Sequence, residues 1–201
     1  MKNLITLSIC LLVMTTSIAS TYTNISFSKK DDGTKMEITL TLNDVKAGQK
    51  LSIKDENGVT LYNQTIQKTG IYNSRFDLSA LPNGDYYFEH NKDYYTKLIP
   101  FTVAQGEVNF DKANEKVIYK PVVRIKNDFI YVSKLDLEQN DVSIDIYYSA
   151  KDKSEFKLVQ SDEISNTMKI ERAYRISEQH KGNYKVVIKS NGHTYNENFK
   201  I

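Results

Sequence analysis

The apolar residues of this chain recur at every second position. Met36, Ile38, Leu40 and Leu42 alternate with Glu37, Thr39 and Thr41. Val142, Ile144 and Ile146 alternate with Ser143, Asp145 and Tyr147 in the same way. Tyr184, Val186 and Ile188 alternate with Lys185, Val187 and Lys189. A period of two turns one side of an extended strand to a core and the other to water, whereas a helix needs a period near 3.6. Thr, Val, Ile, Tyr and Phe fill these runs, as a pleated, half-buried surface favours. Turn residues interrupt them roughly every 8–12 positions, the rhythm of antiparallel sandwiches and barrels. Helical patterning is confined to weak stretches at 111–115 and 172–178. The expected class is all-β.

The runs fall into two sets of similar length and order. The first is 23–27, 35–42, 50–54, 59–65, 72–78, 85–89 and 95–103. The second is 117–125, 129–135, 142–148, 155–159, 167–172, 183–189 and 193–201. Their turns correspond too: Asp32-Gly33 with Asn127-Asp128, Gly84-Asp85-Tyr86 with Gly182-Asn183-Tyr184, and Asn91-Lys92-Asp93 with Asn191-Gly192. A tandem duplication of one sandwich module is the expectation, with domains at 20–104 and 107–201. The boundary falls at Ala104-Gln105-Gly106, where an apolar run gives way to polar residues.

The first residues stand apart. Lys2 precedes an uncharged run that closes with Ser17-Ile18-Ala19. A positive start, an apolar middle and a small-residue exit make a secretory signal peptide, residues 1–19. A spanning helix needs about 20 apolar residues, and this run is shorter and rich in Thr and Ser. The only cysteine, Cys10, lies inside it, with Ile9 where an acylation site wants a small residue. The mature chain is therefore expected to lack cysteine and disulfides, and to hold its cores by packing alone. It has no further stretch apolar enough to span a bilayer. The expected address is secreted: periplasmic, outer-membrane-associated or extracellular.

Lys and Arg number 27 against 25 Asp and Glu, so no broad field favours nucleic acid. Catalytic patterns are missing. His90, His180 and His193 show no metal-ligand spacing, and His90 and His193 read as solvated turn residues. There is no Gly-x-Ser-x-Gly elbow and no Gly-rich phosphate loop. Asp31-Asp32-Gly33 and Asp55-Glu56-Asn57-Gly58 are complete as hairpin turns and lack the spaced ligands of a calcium loop. Asn24-Ile25-Ser26 and Asn63-Gln64-Thr65 are formal glycosylation sequons. No metal, cofactor or enzymatic activity is expected.

Two sets of tyrosines bear on architecture and binding. Tyr86 follows Pro82 and Gly84, and Tyr184 follows Gly182. A tyrosine just past such a corner can bury its ring and return its hydroxyl to the corner backbone, as in immunoglobulin-like sandwiches. Tyr87, Tyr94 and Tyr95 lie on one proposed hairpin, where alternation turns some of them outward as an aromatic patch for a sugar face or a protein. Cross-strand pairing explains such tyrosines equally well without a ligand.

Residues 51–88 carry a resemblance. Asp55, Gly58, Asp77, Leu78, Leu81, Gly84 and Tyr86 match the pattern of the type A C-terminal sorting domain of the Bacteroidetes type IX secretion system. The chain resembles that family over about 50 residues of its first half and faintly, through Gly182 and Tyr184, in its second. It departs from the family in carrying the better match away from the C-terminus. The resemblance implies a seven-stranded immunoglobulin-like module and an envelope setting. Together these readings give two tandem immunoglobulin-like antiparallel β-sandwich domains after a signal peptide. The expected role is non-catalytic binding or adhesion through sheet edges or loops, with a protein or cell-surface glycan as partner. The alternative is a carbohydrate-binding accessory that uses the tyrosine patch.

Overall fold

The computed structural model describes residues 24–27, 37–151, 153, 155–177 and 181–201. The proposed signal peptide, Asp31-Asp32-Gly33 and His180 lie outside the described residues. The first half holds β1 (Asn24–Phe27), β2 (Glu37–Val45), β3 (Lys50–Asp55), β4 (Thr60–Thr65), β5 (Gly70–Asp77), β6 (Gly84–Asn91), β7 (Tyr95–Ala104), β8 (Glu107–Phe110) and β9 (Lys116–Tyr119). The second holds β10 (Val122–Lys126), β11 (Phe129–Leu135), β12 (Val142–Ala150), β13 (Lys157–Ile164), β14 (Lys169–Arg175), β15 (Gly182–Ser190) and β16 (His193–Lys200). The weak helical stretch at 111–115 yields one 3-10 turn, Lys112–Asn114, capped by the Asp111 carboxylate. The stretch at 172–178 belongs largely to β14, because Ile170 takes a core position there and alternation wins over helical period.

Two antiparallel β-sandwiches result. In the first, the sheet β1-β2-β5 faces the sheet β4-β3-β6-β7-β8, with β9 also paired to β7. In the second, β10-β11-β14 faces β13-β12-β15-β16. The same order of seven strands therefore appears twice. In the constant-type immunoglobulin layout the fourth strand pairs with the fifth. Here β4 pairs with β3 and β13 with β12, which makes a three-plus-four division. Each sandwich closes on its own core: Leu40, Leu51, Phe88, Ile99 and Phe101 in the first, Ile130, Ile144, Ile170, Val186 and Ile188 in the second.

The first sheet runs past the expected boundary. Gln105 and Gly106 have φ of 51° and 78°, the two positive values of a tight two-residue hairpin. They join Ala104 to Glu107, so β8 continues the first sheet. Polar residues mark a turn here and not a domain junction. The expected single strand at 117–125 is also divided. Pro121, which lacks an N–H and has a fixed φ, separates β9 from β10. β9 stays on β7 of the first sandwich, and β10 opens the second.

The β3–β4 turn differs in detail from a simple Asn-Gly hairpin. Only Gly58 has positive φ, at 79°. Asp55 organises the rest: its carboxylate accepts from the backbone N–H of Asn57 (3.0 Å) and Val59 (2.8 Å). Asp77 does the same at the next corner, accepting from the N–H and hydroxyl of Ser79. Leu78 meanwhile drops into the core.

The Tyr86 corner forms. Its ring is buried and its hydroxyl donates to the Pro82 carbonyl at 2.9 Å. Gly84 does not have a positive φ, and an added Cβ would make only ordinary contact with the Tyr86 ring. Tyr184 is likewise buried and packs on Tyr148 at 5.2 Å. The residue four before it, His180, lies outside the described residues. Gly182 is needed for a different reason. A Cβ there would sit 2.4 Å from the Ser149 carbonyl oxygen on β12.

Candidate recognition surface

The fold separates the three patch tyrosines. Tyr87 pairs with Pro100 on β7, and Asn91 with Thr96 near the turn. Tyr87 is thus four strand positions from that end of β6, or about 13 Å at ~3.3 Å per residue. Its hydroxyl lies against the β3–β4 turn at Gly58, and burial pushes its pKa upward. Tyr95 is half-buried and faces Tyr119 across the ladder, with ring centres 6.3 Å apart. The Lys92 ammonium sits 5.5 Å from its ring centre. Tyr94 alone stands out, 75% exposed. Tyr94 and Tyr95 occupy one end of the hairpin and Tyr87 does not join them.

The backbone around Tyr94 is firmly held. Asp93 accepts from Gln49 at 3.3 Å, and the Tyr94 carbonyl accepts from the N–H of Lys120 at 3.0 Å. The Lys120 ammonium donates to Asn91 and to the Lys92 carbonyl. Tyr94 thereby overlooks a groove of about 570 Å³ between the two sandwiches. Tyr119 lines it from the first, and Val122, Leu135, Met168 and Ile170 from the second. Val122, Leu135 and Met168 are 40%, 40% and 48% exposed, so apolar surface at this corner remains open to solvent.

A polar cluster lies where the β15–β16 hairpin meets the first sandwich. Parity along β6 puts Tyr86, Phe88 and His90 toward the core, so Glu89 points away from it. Glu89 is nevertheless buried, because the second sandwich covers it. It accepts from the Lys54 ammonium at 2.9 Å and approaches His193 Nε2 at 3.3 Å. Burial works to raise the Glu89 pKa, but the hydrogen bonds from His193 and Lys54 outweigh it and leave it low. His193 Nδ1 lies 2.8 Å from the Asn191 carbonyl. With oxygen acceptors at both nitrogens, the ring satisfies both only as imidazolium. The hydrogen bond with Glu89 raises the His193 pKa accordingly, against an opposing effect of burial. The Tyr195 pKa rises to about 12, through burial and then the negative charges of Glu89 and Asp136.

Behind this cluster Lys134 and Asp136 form a buried ion pair at 3.2 Å. Asp136 also accepts from the Glu138 N–H and the Asn140 amide, both at 3.3 Å. Burial raises its pKa, and Lys134 with these donors brings it below the ordinary value. The pair anchors the turn after β11, whose backbone bond from Asp136 reaches the Met168 carbonyl at 2.8 Å.

Neither described histidine is the solvated turn residue that the sequence suggested. His193 is held in the junction. His90 is 2% exposed, with Nε2 3.0 Å from the Gln49 amide oxygen. That oxygen can only accept, so Nε2 carries the proton of a neutral ring. Burial, then Lys92 and Lys97, pushes the His90 pKa down to about 4. Strand parity foreshadows both His90 and Lys134: each continues an inward series, after Tyr86 and Phe88 and after Ile130 and Val132. Nothing in the local sequence announces the pairing of Glu89 with His193, since it spans 104 positions.

Among the described residues no group of three or more His, Cys, Asp or Glu side chains could hold a metal ion. Among them, too, no helix is long and apolar enough to cross a membrane. No protein-family model matches the chain. No curated protein matches it either. A solved structure described as the structural basis of neurohormone perception by the receptor tyrosine kinase Torso is similar at 10% identity. That match covers 92% of this chain and 76% of the other, with a TM-score of 0.24, and it carries no argument about fold or role.

Proposed function

We propose that this chain is a secreted, non-catalytic recognition protein of the cell envelope or its surroundings, and that its contact region is the corner between the two sandwiches. The observation that carries this reading is the open apolar groove beneath Tyr94, on a hairpin whose backbone is pinned from both sides. Rigid sheets that display an exposed aromatic beside open apolar surface suit binding to a partner protein or a cell-surface glycan. The carboxylates of Asp55, Asp77 and Asp136 serve turns and an ion pair.

The signal-peptide pattern at 1–19 supports export. The resemblance to type IX sorting modules supports an envelope setting, although its positions also have structural jobs in the turn at Asp55, the corner at Asp77 and the Tyr86 bond. Fusing residues 107–201 to an exported reporter tests a sorting role for the second half. A reporter left in the periplasm removes that role.

The recognition reading is tested with the purified mature chain on cells of its source. Saturable retention that falls in a Tyr94→Ser/Leu135→Ser variant of unchanged melting temperature supports it. Undiminished retention by that variant moves the contact elsewhere. Turnover of a polymer or peptide substrate by the purified chain overturns it.

A further inference from the structure

The outer face of the three-stranded sheet β10-β11-β14 forms a grid whose composition differs from the chain as a whole. Register sets Arg124 beside Tyr131 and Ala173, and Lys126 beside Phe129 and Arg175. Val122 lies beside Ser133 and Glu171, and Leu135 beside Lys169. Strand parity turns all of these side chains away from the core formed by Ile130, Val132 and Ile170. Lys169 pairs with Glu171 at 3.0 Å. Among the described residues Arg124, Lys126 and Arg175 have no carboxylate partner. The whole chain has a formal charge of only +2, so three unpaired cations around two aromatic rings are a local concentration.

Tyr131 is 41% exposed and lies 5.9 Å from Phe129, ring centre to ring centre. The shallow hollow between Arg124, Lys126 and Tyr131 adjoins the groove under Tyr94 through Val122 and Ser133, which line both. The two form one continuous surface. The backbone of β11 is paired on both sides, so an added peptide strand finds no hydrogen-bonding edge at the centre of this face. Side-chain chemistry alone is on offer: guanidinium and ammonium groups that hold carboxylates, and a phenol ring that accepts a flat, partly apolar face.

We infer that this face binds an acidic polysaccharide, with uronate carboxylates on Arg124, Lys126 and Arg175 and a sugar ring on Tyr131. Two cations two residues apart on β10, and a third on β14 in the same row as Lys126, match a partner that carries charge repeatedly along a stiff chain. The tyrosine supplies what a purely electrostatic surface lacks, a place for the pyranose ring. The assignment rests on the recognition reading above and adds the ligand class and the strands that hold it.

The test uses the full mature chain on immobilised polygalacturonate, with a neutral galactan, polyglutamate and phosphatidylglycerol vesicles in parallel. Retention on polygalacturonate weakens with added salt, as exposed charges require. The Arg124→Ser/Lys126→Ser and Tyr131→Ala variants each lose about tenfold in affinity at unchanged melting temperature. A Lys189→Ser/Lys200→Ser variant, which removes equal charge from the β12-β15-β16 sheet, keeps wild-type affinity. Equal loss in that control overturns the assignment, as does preference for polyglutamate or the vesicles, or no retention on polygalacturonate. Binding to the neutral galactan alone, untouched by the Arg124 and Lys126 changes, overturns it while leaving a recognition role standing. Cleavage of any of these polymers overturns the recognition reading itself.

Discussion

Single residues hold the corners of this fold and the junction between its two halves. Tyr86 closes its corner through one hydroxyl, and Tyr86→Phe removes that bond to Pro82 while keeping the ring. A loss of about 1 kcal/mol is expected in urea unfolding of the chain. The two corner glycines separate in the same assay. Gly84→Ala is expected to leave stability nearly unchanged, because the new methyl meets only ordinary contacts. Gly182→Ala forces its methyl against the backbone of β12 and is expected to cost about 1–3 kcal/mol. His193 gives a spectroscopic check. Its imidazole resonances titrate above 6.5 in the wild type, and Glu89→Gln returns the midpoint toward that ordinary value.

The sign of the pH dependence follows from the pair. A histidine whose folded pKa is raised contributes its full share below 6.5 and loses it as pH rises through the folded value. A carboxylate whose folded pKa is lowered contributes above 4.5 and loses its share as pH falls through the folded value. The Glu89–His193 contact is therefore strongest between those limits. His90 acts in the opposite direction to His193. Its ring is buried neutral, so the first sandwich loses stability as pH falls from 6.5 toward about 4.

At the scale of strands and turns, charge inside a sheet is the notable feature. Lys134 sits on an inward position of β11 and is tolerated because Asp136 lies within 3.2 Å of it. Lys134→Met leaves a buried carboxylate without its countercharge, and a loss of about 3–5 kcal/mol is expected in the unfolding of the second sandwich. This is also the scale at which the sequence was most readable. Alternation located nearly every strand and both cores, since the inward residues of β2, β12 and β15 are the apolar members of each alternating run. It failed where a local signal had two meanings. Gln105-Gly106 reads as a junction because it is polar, and folds as a tight hairpin because both residues accept positive φ. The run at 117–125 reads as one strand by its apolar content, and Pro121 divides it between two sandwiches. The tyrosine patch failed for a related reason: adjacency in a hairpin says nothing of how far along the strands two rings stand.

For the molecule as a whole, the informative features lie between and outside the cores. Neither the covered Glu89 nor the groove under Tyr94 belongs to one module alone, so no reading of either half could supply them. The cationic face of β10, β11 and β14 was within reach of strand parity, but only after Pro121 had set where β10 begins. The account stands on the idea that these sheets present a fixed surface to a partner and do not transform it. Amide chemical shifts of the chain, followed as oligogalacturonate is added, address that idea without prior choice of a variant. Shifts confined to residues 122–135 and 169–175 and to the adjoining groove at Tyr94 and Tyr119, saturable and with the oligosaccharide recovered intact, are the expected outcome. A shortened oligosaccharide would refute it; an absence of shifts, or shifts centred on the β1-β2-β5 sheet, would refute the placement of an acidic polysaccharide on β10, β11 and β14.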